Sequence, residues 1–480
     1  MFLNIIKKYQ SLSIQIRAAI WFLFCSILQK GISVITTPIF TRLLSVSEYG
    51  EYNVFNSWLG IVTVFVCLQM YYGVYTQGLV KFEEERKQFS SALQGLTFSL
   101  VCIWTIIYLI IHDKINHLLS LTTNQMLGMF LLIWSTSIFN FWAAEQRVDY
   151  KYKNLVIITI ITAILKPIIG IVLVINCEDK VTARIWGLAI VEFFCYLGLF
   201  ISQMKRGKVF YSKRIWKYAL SFSIPLIPHY LSQTVLSSSD RIMIKKLVGS
   251  EEAGMYALAY SISLLMTLVN TAVLQTLSPW VYKKIKNKQA PQIRKVIYVA
   301  LIIIASANLL LILCAPEIIK VFAPDEYADS LFCIPPIAMS VFFIFMYSLY
   351  SYFEFYFEKK FCIVISTAFA AIVNIVLNYI GINMFGYKAA AYTTLICYII
   401  YAFMHYLFMK SICKQYDVGG TPYNVKALMF ISITFMTLGF VLMLIYDHIV
   451  LRYLITLLFI ILLFLFRKQL SNIFKYIKET

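Results

Sequence analysis

Three ionisable residues sit inside long apolar runs: Lys30 in SILQKGIS, Lys166 in AILKPIIG and Glu192 in AIVEFFCYL. A charge buried in hydrocarbon costs at least about 2.5–3.5 kcal/mol, so each of these needs a partner or a water-filled wall. Lys166 and Glu192 fall within neighbouring runs, so an ion pair between adjacent helices is one reading and a cavity wall the other. Lys30 finds no acidic residue in its own run or the next, which favours the cavity wall. Pro167, beside Lys166, would kink its helix and free backbone carbonyls, a disruption tolerated next to a cavity. No HExxH and no CxxC occurs, and His112 and His117 flank the end of an apolar run, as interfacial residues do. The ten cysteines lie mostly within apolar runs and read as small packing residues. No metal centre, cofactor or catalytic constellation is expected.

The elements that must position these groups follow from composition. Sixty per cent of the 480 residues are hydrophobic and 14% are charged, with a mean hydropathy of +0.77. A soluble globule would carry about 25% charge. The apolar blocks have the length of about 20 residues that takes a helix across a ~30 Å hydrocarbon core. Fourteen spans are expected, near 18–40, 52–75, 92–112, 126–144, 155–176, 184–203, 218–240, 254–279, 296–315, 331–353, 361–384, 388–409, 427–446 and 449–466. Barrel strands would be about ten residues long and alternating, which these are not. The fold class is therefore an all-α polytopic membrane protein. Lys7, Lys8 and Arg17 precede the first span without a small-residue cleavage site after it, so that span reads as retained.

With the N-terminus in the cytoplasm, most of the 42 basic residues fall on the inside, densest in 205–217 and 283–295. The net charge of +19 is thus topogenic, and nucleic-acid binding is not expected. Both termini, including a basic tail, would be cytoplasmic.

The chain also repeats itself. RLLSVSEYGEY at 42–52 returns as KLVGSEEAGMY at 246–256, with Glu48 matching Glu252 and Gly50 matching Gly254. Each copy follows the first helix of a six-helix set, which makes a parallel repeat about an axis along the membrane normal. Glycine would supply open backbone angles at each turn, and the glutamate would cap the helix that follows. The expected divisions are 1–204 and 205–410 for the two bundles and 411–480 for two accessory helices and the tail.

These stretches, with SSSDRIMIKKLVGSEEAGMY and AAIVNIVLNYIGINMFGYKAAAYTTLI, resemble the exporters of the multidrug, oligosaccharidyl-lipid and polysaccharide (MOP) superfamily. Within it they are similar to the Wzx-type flippases of O-antigen and capsule repeat units. Asn374, Asn378, Gly386 and Ala389–Ala391 resemble the family's eleventh helix and the turn after it, and Asp240–Arg241 its recurrent Asp-Arg pair. The resemblance implies a V-shaped pair of six-helix bundles around a central cavity. It implies a substrate too, an undecaprenyl-diphosphate-linked oligosaccharide moved from the inner to the outer leaflet.

On that reading Lys30, Arg147, Lys166 and Arg241 are the diphosphate candidates, with Arg42 instead suited to snorkelling at the interface. Asp240 and Arg241 are adjacent and do not share a helix face, so each should have its own partner. Pro225 and Pro228 would bend the seventh helix, and Gly50 and Gly254 would anchor hinges. Glu192, Asp240 and Glu354 are the acids to test for coupling, with H+ or Na+ as the ion. Membrane lipids, a polysaccharide polymerase and chain-length machinery complete the expected partners. Three alternatives stand beside this: a cation-coupled multidrug exporter, a peptidoglycan-precursor flippase and a membrane-embedded glycan polymerase. The 315–330 segment has no paired-carboxylate motif and reads as a solvated connector, which argues against the polymerase.

Overall fold

A computed structural model describes residues 12–459 and 461. Lys7, Lys8 and the basic tail lie outside the described residues, as does the end of the last expected span. Among the described residues the chain is helical, without strands. Eleven helical stretches are long and apolar enough to cross a membrane. The expected spans 52–75, 218–240 and 449–466 fall short of that measure, although their described residues are largely helical. The helix at 52–75 carries a polar first turn, and the one at 218–240 runs through SQTVLSSSDR before its lysines.

The chain divides into two compact units, one ending at Ser238 and the other beginning at Ser239. This division falls after the 204/205 boundary drawn from the repeat. The reason lies in helix 213–223, whose Ile215 and Ala219 are buried in the core of the first unit. Trp216 Nε1 also donates to the Ala92 carbonyl at 2.8 Å. Pro225 and Pro228 break the chain there as expected: helix Lys213–Ser223 passes through a 3-10 turn, Ile224–Leu226, into Ile227–Leu247.

In the first unit the helices that matter for the site are α1 (Ile14–Leu43), α2 (Val46–Cys67), α3 (Gly73–Lys81), α4 (Arg86–Ile110), α5 (His112–Leu119), α6 (Thr123–Val148), α7 (Tyr152–Asn176) and α8 (Lys180–Gly207). Their starts are written locally. Ser45 and Glu48 form a capping box on α2, Thr122 and Gln125 another on α6, and Asp179 caps α8 through Thr182 N. Glycines bring α7 and α8 together: a Cβ on Gly187 would lie 2.8 Å from Gly170 Cα. Small residues let membrane helices approach closely. Gly170 sits one turn after Lys166, so this contact sets the spacing of the charged pair.

The second unit, after the end of the Ile227–Leu247 helix, holds α11 (Ser250–Ser263), α12 (Met266–Lys286), α13 (Ala290–Leu313), α14 (Ala315–Phe322), α15 (Ile334–Tyr356), α16 (Lys360–Phe385), α17 (Ala389–Gln415), α18 (Val425–Leu444) and α19 (Ile449–Phe459), with Lys213–Ser223 and Ile227–Leu247 numbered α9 and α10. Helix α15 is buried along most of its length and is the centre of this unit. Helix α18 packs on it through Gly439 against Met339 and through Phe342 and Phe435, whose rings are tilted to each other with centroids 4.4 Å apart. The connector 416–424 is tied to the α12–α13 turn by Lys288–Asp417 at 3.0 Å and by Ala290 N to the Val418 carbonyl at 3.2 Å. The hydrogen bond from Lys288 holds the Asp417 carboxyl below its ordinary range. The expected connector 315–330 is structured: it forms α14 and a 3-10 turn, Asp325–Cys333, with Tyr327 fully buried.

The repeat is visible in the helix starts. Ser45 and Glu48 open α2, and Gly249 and Glu252 stand at the same places in α11, with the Glu252 carboxylate over Gly249. The glutamates thus sit where capping was expected. Gly50 and Gly254 do not make the turns. Each is the fifth residue of a helix and is buried there, and neither has a positive φ. The turns fall five to six residues earlier, because the N-terminal glutamates start the helices before the glycines arrive. What these glycines offer is a missing side chain, not an open backbone angle.

Candidate functional site

A cavity of about 400 Å³ lies within the first unit, walled by α1, α2, α6, α7 and α8. Helix α2 gives Tyr52, and each of the other four contributes residues three or four apart, the spacing of one helical face. Helix α1 gives Gln29, Ser33, Thr36 and Phe40; α7 gives Thr162, Lys166 and Gly170; α8 gives Arg184, Leu188, Glu192 and Tyr196. The wall therefore combines hydroxyls and amides with two cations and one acid.

Lys166 and Glu192 meet on this wall, Nζ to Oε1 at 2.5 Å. Thr136 of α6 donates to the other carboxylate oxygen at 2.6 Å. Pro167 also lines the cavity. It leaves the Ala163 carbonyl, on the same wall, without its helical donor. Arg184 is held face-on by aromatic rings, its guanidinium 3.9 Å from the Phe40 ring centroid and 3.5 Å from that of Tyr52. Such cation–π contacts hold a long side chain in place.

The other expected cations lie elsewhere. Lys30 is exposed on α1 and does not line this cavity, although its neighbour Gln29 does. Arg147 is exposed in the last turn of α6, and exposed Arg42 at the end of α1 donates to the Pro38 carbonyl at 2.9 Å. In the second unit Arg241 stacks over Tyr260, 4.5 Å from its ring centroid.

Asp240 is buried and accepts from Tyr256 at 2.7 Å, Asn378 at 2.5 Å and Thr394 at 3.0 Å. Asn374, beside Asn378, accepts from Ser239 at 2.9 Å. Asp240 and Arg241 thus have separate partners. Glu354 is fully buried against His405, Nδ1 to Oε1 at 2.8 Å.

Three features escaped the sequence reading. Arg184 stands at the edge of a span, where arginine looks topogenic. The spacing 184, 188, 192, 196 was the signal that joined it to Glu192. Thr136 and His405 are ordinary residues within spans and became significant only through their partners.

Structures similar to the chain are flippases and transporters. "Lipid II flippase MurJ, inward closed conformation" aligns over 95% of this chain and 100% of its own, with 15% identity and a TM-score of 0.68. An inward-facing multidrug resistance MATE family transporter of the MOP superfamily covers 82% of this chain and 99% of its own, at 11% identity and TM-score 0.63. A mutant of the Vibrio cholerae MATE transporter VcmN covers 85% and 98%, at 13% identity and TM-score 0.56. Comparison with curated proteins gives no match. The fold is that of a multi-pass membrane protein of the MOP superfamily. Within that superfamily the chain belongs to the family described as polysaccharide biosynthesis protein, whose model matches residues 16–284.

Proposed function

We propose that the protein flips undecaprenyl-diphosphate-linked oligosaccharide repeat units from the inner to the outer leaflet of a bacterial cytoplasmic membrane, for O-antigen or capsule synthesis. Alternating access of a parallel repeat is the mechanism this reading uses. The observation that carries it is the polar, cation-bearing cavity of the first unit in a chain of the polysaccharide biosynthesis family. Hydroxyls and amides suit sugar, and Lys166 and Arg184 suit an anion that has left water. Lys30, Arg147 and Arg241 remain candidates for the diphosphate in other parts of the transport cycle. Arg42 fits an interfacial role. Glu192, Asp240 and Glu354 remain candidates for H+ or Na+ coupling, and a polymerase with its chain-length machinery would take the product.

Depleting the protein is expected to accumulate lipid-linked oligosaccharide on the cytoplasmic side, read by extraction and mass analysis of the lipid-linked sugars. Accumulation of peptidoglycan precursor instead would move the substrate to that pathway. A multidrug exporter is the second reading, favoured by an acid, Glu192, on the cavity wall of the N-terminal unit. Unchanged lipid-linked sugars together with drug sensitivity would favour it.

The proposed orientation has a native reporter. Cys177 is exposed in the α7–α8 turn, which the charge pattern puts outside. A membrane-impermeant maleimide added to intact cells should label the protein, and Cys177→Ser should remove that label. Single cysteines in 205–217 should react only after permeabilisation. Ready labelling of 205–217 in intact cells would invert the topology.

A further inference from the structure

Glu354 and Glu192 are each buried against a basic side chain, and the two pairs differ in one respect. The Glu354–His405 pair is sealed, with both side chains at most 1% exposed. The Lys166–Glu192 pair faces a cavity, with the Lys166 side chain 29% exposed. A sealed pair is closed to a ligand in this conformation. A pair on a cavity wall can exchange partners with whatever enters.

Resting on the flippase reading above, we propose that Glu192 is a displaceable counter-ion. An anionic group entering the cavity takes the Lys166 ammonium and the Arg184 guanidinium as its partners, and Glu192 binds one proton as it loses Lys166. The balance is simple. The carboxylate plus a proton from the aqueous phase becomes a carboxylic acid, Lys166 stays an ammonium, and no covalent bond of the substrate changes. When the anion leaves, Lys166 returns to Glu192 and the proton is released.

The geometry supports each part. Lys166 and Thr136 are the hydrogen-bond partners of Glu192, and Thr136 can donate to a carboxylate or accept from a carboxylic acid. Two anions competing for one ammonium in a poorly solvated site repel, and protonating one of them relieves the repulsion. Arg184, gripped by Phe40 and Tyr52, presents a fixed guanidinium that keeps its charge at any working pH.

The titratable groups around Glu192 are few. Its own helix gives Tyr196, Cys195 and Arg184; α7 gives Lys166; and α2 gives Tyr52. The lining residues from α1 and α6 do not titrate, and α4 contributes none to the wall. The coupling would make anion binding strengthen by up to about tenfold per unit fall in pH while Glu192 is ionised in the empty cavity.

The test is infrared difference spectroscopy on the reconstituted full chain perfused with inorganic pyrophosphate, glucuronate or glucose. The expected result is a new carboxylic-acid C=O band with an anion and none with glucose, lost in Glu192→Gln. A band with pyrophosphate alone identifies the carrier's diphosphate as the anion, and one with glucuronate alone an acidic sugar; either supports the exchange. No band with either anion, or an equal band in Glu192→Gln, overturns it. Where Glu192→Gln is recovered poorly, the double neutral variant Lys166→Gln/Glu192→Gln serves as the same control. The spectra and the depletion experiment fail independently: an absent band with accumulated lipid-linked sugar removes the exchange alone, and the converse removes only the substrate reading.

Discussion

His405→Leu is expected to be among the most damaging single changes in the second unit. It leaves Glu354, fully buried, without its partner. Removing one member of a buried pair costs about 3–5 kcal/mol, whereas replacing both by neutral groups of similar size can be nearly neutral. The double variant His405→Leu/Glu354→Gln should therefore be recovered better than the single one, as judged by membrane level and by the thermal midpoint in detergent. Lys166→Gln should show the same ordering against Lys166→Gln/Glu192→Gln, but with a smaller gap, because the Lys166 side chain is partly exposed to the cavity. Equal midpoints for His405→Leu and its double partner would mean that Glu354 does not depend on His405.

The second large effect is steric. A Cβ on Gly207 would lie 2.1 Å from the Lys87 carbonyl oxygen, and one on Gly95 would lie 2.2 Å from that of Phe210. Both obstacles are backbone, which cannot swing aside as a side chain does. Gly207→Val and Gly95→Val should each cost about 3 kcal/mol, the upper end of the overpacking range, and should sharply reduce the folded protein in the membrane. Gly31, by contrast, has open space where a Cβ would stand. Gly31→Ala should be neutral or slightly stabilising, since alanine gives up less backbone freedom in a helix. A thermal midpoint of wild-type value for Gly207→Val would show that the α4 and α8 backbones can separate at no cost.

Much of the architecture was readable from the chain because membrane helices announce themselves by length and polarity. Of the helices that fell short of the apolar measure, α2 and α10 are polar for local reasons: a capping box in one and a serine-rich run ending in Asp-Arg in the other. The Lys166–Glu192 pair was readable too, since opposite charges near the middle of adjacent spans have few other solutions. Lys30 shows where such reasoning stops. Sequence establishes that a cation lies within a span, but one residue turns a helix by about 100°, and here that step separates exposed Lys30 from the cavity residue Gln29. His405 was missed for another reason: its partner Glu354 lies 51 residues away, and no local pattern connects the two. In the repeated stretches the glutamates stand in the first turns of α2 and α11, but the glycines lie inside those helices, because spacing alone does not distinguish a turn from the first coil of a helix.

The buried Glu354–His405 pair has a consequence for how the chain is made. Synthesis runs from the N-terminus, so α15 emerges with its carboxylate before α17 brings the imidazole. In the interval Glu354, in the last turn of α15, would lack the imidazole against which it is buried. Either the Glu354 carboxyl enters the bilayer protonated, or α15 waits at the insertion machinery until α17 arrives and the two enter the lipid together. Ribosome-bound chains stalled before and after His405 has emerged would then differ in how firmly α15 resists extraction from the membrane, with the longer chain the more secure.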